Sequence, residues 1–266
     1  MVSTSRRPED GNDPAASLPS QRPWRLLWRA LKWMFFAVAM VFIVEFGTAF
    51  VDGISAGFAT ARGLSPKPPM DDAVCAAYAA IALQAMLLWG ALRGARAAAS
   101  SLSAGLANRP VRRRGLVALF AVLILVWDAA AIGTLAWIIA HGGHAPVVPQ
   151  DIARMPDSVG LAATHIALIA LIAPVAEELF FRGWLWTALR KSWSPTGTLC
   201  CTSGLWLAMH VLDGTWRPLV LLPTGILLGL ARHHGDSVRA SLALHLMNNS
   251  IVVLGQLAAF AGSGAG

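Results

Sequence analysis

Charged side chains make up only 13% of the 266 residues, well under the ~25% of ordinary soluble domains. With 56% hydrophobic residues and a mean hydropathy of +0.59, that shortage excludes a soluble globular fold. Cysteine is nearly absent. Cys75, Cys200 and Cys201 form neither an even-numbered framework nor a C-x-x-C motif, which excludes a disulfide scaffold, and they read as small buried apolar residues. There is no zinc-finger spacing and no patch interleaving basic with aromatic residues, so the net charge of +7 does not indicate a nucleic-acid partner. Three other intramembrane-hydrolase signatures, H-E-x-x-H, G-x-S-G and G-x-G-D, are missing, and no internal repeat is evident.

Long apolar runs dominate instead. The fold expected is all-α, a multi-pass transmembrane bundle of about seven spans at 33–51, 73–92, 115–140, 159–190, 197–212, 217–231 and 238–260. The fourth is over-long and holds Pro174, which predicts a kink or tilt. Three regions follow: a disordered cytoplasmic tail over 1–32, N-terminal membrane helices over 33–158, and a catalytic membrane core over 159–262. The Ala/Gly/Ser-rich stretch 93–108 fits either a helix extension or a loose linker.

Lys and Arg set the expected orientation. Six precede the first span (Arg6, Arg7, Arg22, Arg25, Arg29, Lys32) and six lie between the second and third (Arg93, Arg96, Arg109, Arg112, Arg113, Arg114). Only Arg62, Lys67, Arg154 and Arg217 fall on the other side, which predicts N-in, C-out.

Glutamate occurs four times in the chain, and two of the four, Glu177 and Glu178, are adjacent inside the apolar run Leu161–Leu189. An ionisable group at membrane depth costs about 2.5–3.5 kcal/mol on insertion scales, so such a pair is a functional candidate. Arg182 follows Glu178 by one helical turn, on the side that favours an ion pair. His210 and His245 also lie within apolar segments, with Asn249 one turn beyond His245. Glu177 is 13 residues before Arg190 and His210 is 13 after Gly197. In an antiparallel pair both would lie ~20 Å above the connecting turn. Glu177, His210, His245 and Asn249 are therefore expected to converge from three helices.

These residue types can hydrolyse a peptide bond. A carboxylate acts as general base on water, an imidazole orients that water, and a second imidazole with a carboxamide donates to the oxyanion. Arg182 would hold Glu178 ionised and leave Glu177 for the water. The same donors could also hold a divalent metal such as zinc, through Glu177, His210 and His245, and the sequence leaves both routes open. Glu45, Asp128 and His165 have no motif partner and read as packing residues. Asn248 reads as structural, His233 and His234 as a solvated helix end, and Gly225-x-x-x-Gly229 as a small-residue packing face.

Glu177-Glu178-x-x-x-Arg182, Trp206-x-x-x-His210 and His245-x-x-x-Asn249, in this order, resemble the three motifs of the CPBP family. That family holds CAAX prenyl endopeptidases and bacteriocin-processing or immunity proteins. The resemblance covers Pro174 to Asn249. It departs at Trp206, where the family usually has Phe. It implies that Glu177 activates water with His210, that His245 and Asn249 form the oxyanion site, and that the mechanism is either metal-dependent or glutamate-type without metal. The substrate it implies is a membrane-attached or lipidated peptide, in a bacterial plasma membrane. A non-enzymatic alternative, an immunity factor or a proton-linked carrier, would use the same acids.

Overall fold

The computed structural model describes residues 23–65, 68, 70–141, 156, 158–214 and 216–263; these are helix and turn, with no strand among them. We number eight helices among the described residues: α1 Pro23–Ala61, α2 Asp72–Ala98, α3 Leu102–Leu106, α4 Arg114–Ala140, α5 Val159–Leu189, α6 Pro195–Met209, α7 Arg217–Gly235 and α8 Val238–Ser263. Side-chain caps mark several starts. Asp71 accepts from the Ala73 N–H, Ser158 from Leu161 and Ser194 from Gly197, which satisfies donors that a first turn leaves free.

Each of the seven expected runs is a helix. Five of them, α1, α2, α4, α5 and α8, are long and apolar enough to cross a membrane, rather than all seven. The 15 residues of α6 reach only about 22 Å, short of the ~30 Å hydrocarbon core, and α7 falls short in apolarity. Helix α1 starts at Pro23, so Pro23–Lys32 is helical where tail was expected. Residues 1–22 lie outside the described residues. The stretch after Arg93 begins as a helix extension, with α2 continuing to Ala98, and then forms a short separate helix, α3, rather than a loose linker.

Large apolar side chains cover the outside of the bundle, among them Phe35, Phe42, Phe46, Phe50 and Phe58 along α1. That surface suits lipid and not water, and the chain is an integral membrane protein. Inside, α2 packs between α1 and α5. Leu87, Ala91 and Ala95 meet Leu26, Ala30 and Met34 on one side and Phe180, Phe181 and Trp184 on the other. Small residues allow the approach: a Cβ on Gly94 would lie 2.2 Å from the Trp184 ring.

The α5–α6 turn, the α7–α8 turn and the α2–α4 loop meet at one end of the bundle. Arg112 N–H donates to the Gly235 carbonyl, Val238 N–H to Ala107, and Lys191 Nζ to Ala98. Helices α6 and α7 thus form a hairpin that leaves this end and returns to it. A cleft of about 580 Å³ at the same end is lined by Pro110, Val111, Arg114, Val117 and Arg239. It shares no lining residue with the glutamates.

Candidate active site

Proline sets the shape of α5. Pro174 has no N–H to donate and its ring crowds the preceding turn, so the helix widens before it. Leu168–Ile172 is a π-helical turn in which Ala173 N–H reaches back five residues to the Leu168 carbonyl. After a short α-helical stretch, Ala173–Glu177, a second π segment runs from Glu178 to Leu185. Such turns are uncommon and are found frequently at functional sites. The expected break at Pro174 is therefore a pair of wide turns, and the glutamates lie where the second begins.

The two carboxylates have different surroundings. Glu178 is fully buried, and its Oε1 accepts from Arg182 Nη1 at 3.1 Å and lies 3.1 Å from His245 Nδ1. Glu177 is slightly exposed, its side chain at 12%, and among the described residues no Lys or Arg forms an ion pair with it. Its Oε2 accepts from the Trp206 indole N–H at 2.7 Å and its Oε1 from Gln84 Nε2 at 3.3 Å. His245 stands between the two, with Nε2 4.0 Å from Glu177 Oε2. The buried arginine is held further by Gly225, whose carbonyl accepts from Nη2 at 3.3 Å, and by the Trp206 ring 4.9 Å away.

Glu177, Glu178, Arg182 and His245 therefore form one connected group. His210 adjoins it through Trp206 and makes no hydrogen bond or ion pair to Glu177 among the described residues. It lies in the 3₁₀ turn that follows α6, rings 4.5 Å from Trp206, with Nδ1 on the Trp206 carbonyl at 2.9 Å. A carbonyl only accepts, so Nδ1 bears a proton, and in the tautomer protonated there alone Nε2 is the acceptor. Asn249 bonds to none of the other five. Its Nδ2 donates to the Ile169 carbonyl at 2.9 Å, and its Oδ1 accepts from Asn248 at 3.1 Å. One N–H of the amide is left over.

A zinc site needs three or more donors converging at about 2.0–2.3 Å from one point. Glu177 and His245 approach each other, but no group of three His, Cys, Asp or Glu side chains among the described residues is placed to hold a metal ion. As arranged, the donors do not fit one.

Residues 159–251 match the family model described as type II CAAX prenyl endopeptidase, Rce1-like. This match agrees with the resemblance of the three motifs to the CPBP family of intramembrane proteases. The Rce1-like match opens at Val159, the first residue of α5, and closes just past Asn249, so it holds all six candidate residues. No curated protein and no solved structure matches the chain.

Sequence reasoning passed over Gln84 and the donor role of Trp206. Gln84 lies outside the Rce1-like segment, on α2, as an amide inside the apolar stretch Ala79–Trp89. A polar residue in such a run tends to bond across helices, which was the available signal. Arg232, near the end of α7, is a further residue that the sequence does not set apart. It is buried, and it donates Nε to the Arg182 carbonyl at 2.8 Å and Nη2 to Thr187 Oγ1 at 3.2 Å.

Proposed function

We propose that this chain is an intramembrane endopeptidase that hydrolyses a membrane-attached, prenylated CAAX-type peptide with water activated by Glu177. The observation that supports it best is the unequal pair of carboxylates on either side of His245. Glu178 is neutralised by Arg182, while Glu177 is held only by the neutral donors of Trp206 and Gln84. A base must be fixed in place and free of a direct Lys or Arg partner, and Glu177 meets both conditions among the described residues.

His245 with its Nδ1 on Glu178 presents Nε2 toward Glu177. The 4.0 Å between Nε2 and Oε2 is too long for a hydrogen bond, yet a water about 2.8 Å from both would close it at roughly a right angle. In the proposed reaction that water gives a proton to Glu177 as its oxygen attacks the peptide carbonyl. The C–N bond then breaks, Glu177 returns the proton to the leaving nitrogen, and the products are a carboxylate and an amine. His210 Nε2 accepts the water's second hydrogen. His245, its Nδ1 on Glu178, turns Nε2 toward the developing oxyanion, and the remaining N–H of Asn249 donates to that oxyanion. No step uses a metal.

The proposed setting is a bacterial plasma membrane with the N-terminus inside, as the Lys/Arg distribution expects. The test is the full chain in proteoliposomes with a peptide ending in a prenylated CAAX sequence and the same peptide without the prenyl group, products read by mass spectrometry. We expect one defined cut, faster on the prenylated peptide. No cut in either peptide would overturn the reading, and equal rates would overturn the lipidated substrate class.

A further inference from the structure

We propose that Trp206 is a positioning residue for Glu177, and that Gly225 is the residue that lets it act. This inference rests on Glu177 being the reactive carboxylate. Trp206 is 1% exposed, and a buried indole must find a partner for its N–H. The partner is Glu177 Oε2 at 2.7 Å, a length typical of a charge-assisted bond. The same ring stacks near the Arg182 guanidinium at 4.9 Å, meets His245 edge-on at 5.7 Å and lies 4.5 Å from His210. Its own carbonyl fixes His210 Nδ1 at 2.9 Å. One side chain from α6 thus touches Glu177, Arg182, His210 and His245.

The indole fits only because α7 offers no side chain opposite. A Cβ on Gly225 would lie 3.0 Å from Trp206 Cζ3 and 3.1 Å from Cε3, atoms on the outer edge of the larger ring. A phenylalanine here, the residue of the resembled pattern, would keep an aromatic face toward the histidines. It would supply no donor, and it would leave space over Gly225. With the indole in place, both oxygens of Glu177 are pinned, Oε2 by Trp206 and Oε1 by Gln84. The carboxylate then cannot rotate away from the gap that it shares with His245.

Two readouts test this on the full chain. The first needs no substrate: indole N–H resonances of ¹⁵N-tryptophan-labelled protein in detergent, with Trp206→Phe identifying the Trp206 signal. That signal is expected to move upfield in Glu177→Gln, whereas Trp28→Phe, a change at an exposed position, removes its own signal alone. A Trp206 signal that ignores Glu177→Gln overturns the hydrogen bond. The second is kinetic, on the prenylated peptide. Loss of a hydrogen bond to a charged group predicts a kcat about tenfold lower in Trp206→Phe with KM little changed. Gly225→Ala should lower kcat in the wild-type background and do much less harm beside Trp206→Phe, whose smaller ring leaves room. Wild-type kcat in Trp206→Phe, or an equal loss from Gly225→Ala in both backgrounds, would overturn the positioning role. A wild type that cleaves nothing sinks the protease reading and the kinetic half with it, while the resonance still decides the bond.

Discussion

Asn249 holds the carbonyl of Ile169 at 2.9 Å, across the α5–α8 contact. In the wide turn before Pro174, Ala173 N–H reaches back to Leu168, so the next donor in that register would be Pro174 itself, which has none. Asn249 supplies the missing donor. In a membrane an unpaired carbonyl has no water to turn to. Replacing Asn249 by Ala is therefore expected to destabilise the protein by about 1–3 kcal/mol, besides any loss of activity. Denaturation in detergent measures it; unchanged stability with lost activity would make the residue purely a substrate donor.

The two glutamates should separate in stability as they do in surroundings. Breaking the buried Arg182–Glu178 pair by Arg182→Met or Glu178→Leu leaves a lone charge, with an expected cost of about 3–5 kcal/mol. Glu177→Gln keeps the shape and one of the two accepted bonds, since an amide offers one oxygen, so its unfolding midpoint should fall much less than in those variants while cleavage is lost. Equal destabilisation of both positions would show that Glu177 is structural.

Chelation should leave the rate unchanged. The donors that could bind zinc do not converge in threes among the described residues, and Glu177 is already held through both oxygens. Activity before and after treatment with a strong chelator, alongside elemental analysis of the purified chain, checks this. Activity lost on chelation and restored by zinc would require the site to rearrange around a metal.

Gln84 lies on a helix outside the family-matched segment, so its loss tests whether α2 belongs to the working site. Gln84→Leu removes the donor on Glu177 Oε1 while keeping an apolar side chain of similar size. A kcat about tenfold lower is expected, as for losing one hydrogen bond to a carboxylate. Rescue by Gln84→Asn would be partial at best, because the shorter amide falls short of the 3.3 Å contact.

Much of this arrangement was legible in the residues. Periodic apolar runs gave the helices, because burial in lipid selects for them directly. Glu177, Glu178, Arg182 and His245 stood out because charge in such runs is costly. Three things were hidden. The wide turns of α5 depend on how α8 answers Pro174, a tertiary pairing that no local pattern states. His210 sits just past the end of a helix rather than within a span, because α6 is too short to cross and turns back at the level of the glutamates. The role of Trp206 was hidden too. Its indole looks like bulk until the neighbouring carboxylate is placed beside its N–H.

The most direct measurement is the mass of products released in proteoliposomes from a prenylated CAAX-ended peptide, by wild type and by Glu177→Gln at equal protein. Wild type is expected to yield one cut with a new carboxylate, and Glu177→Gln none above the rate of empty vesicles. Glu177→Gln protein that releases the same products at the wild-type rate would contradict the assignment of Glu177 as the group that activates water.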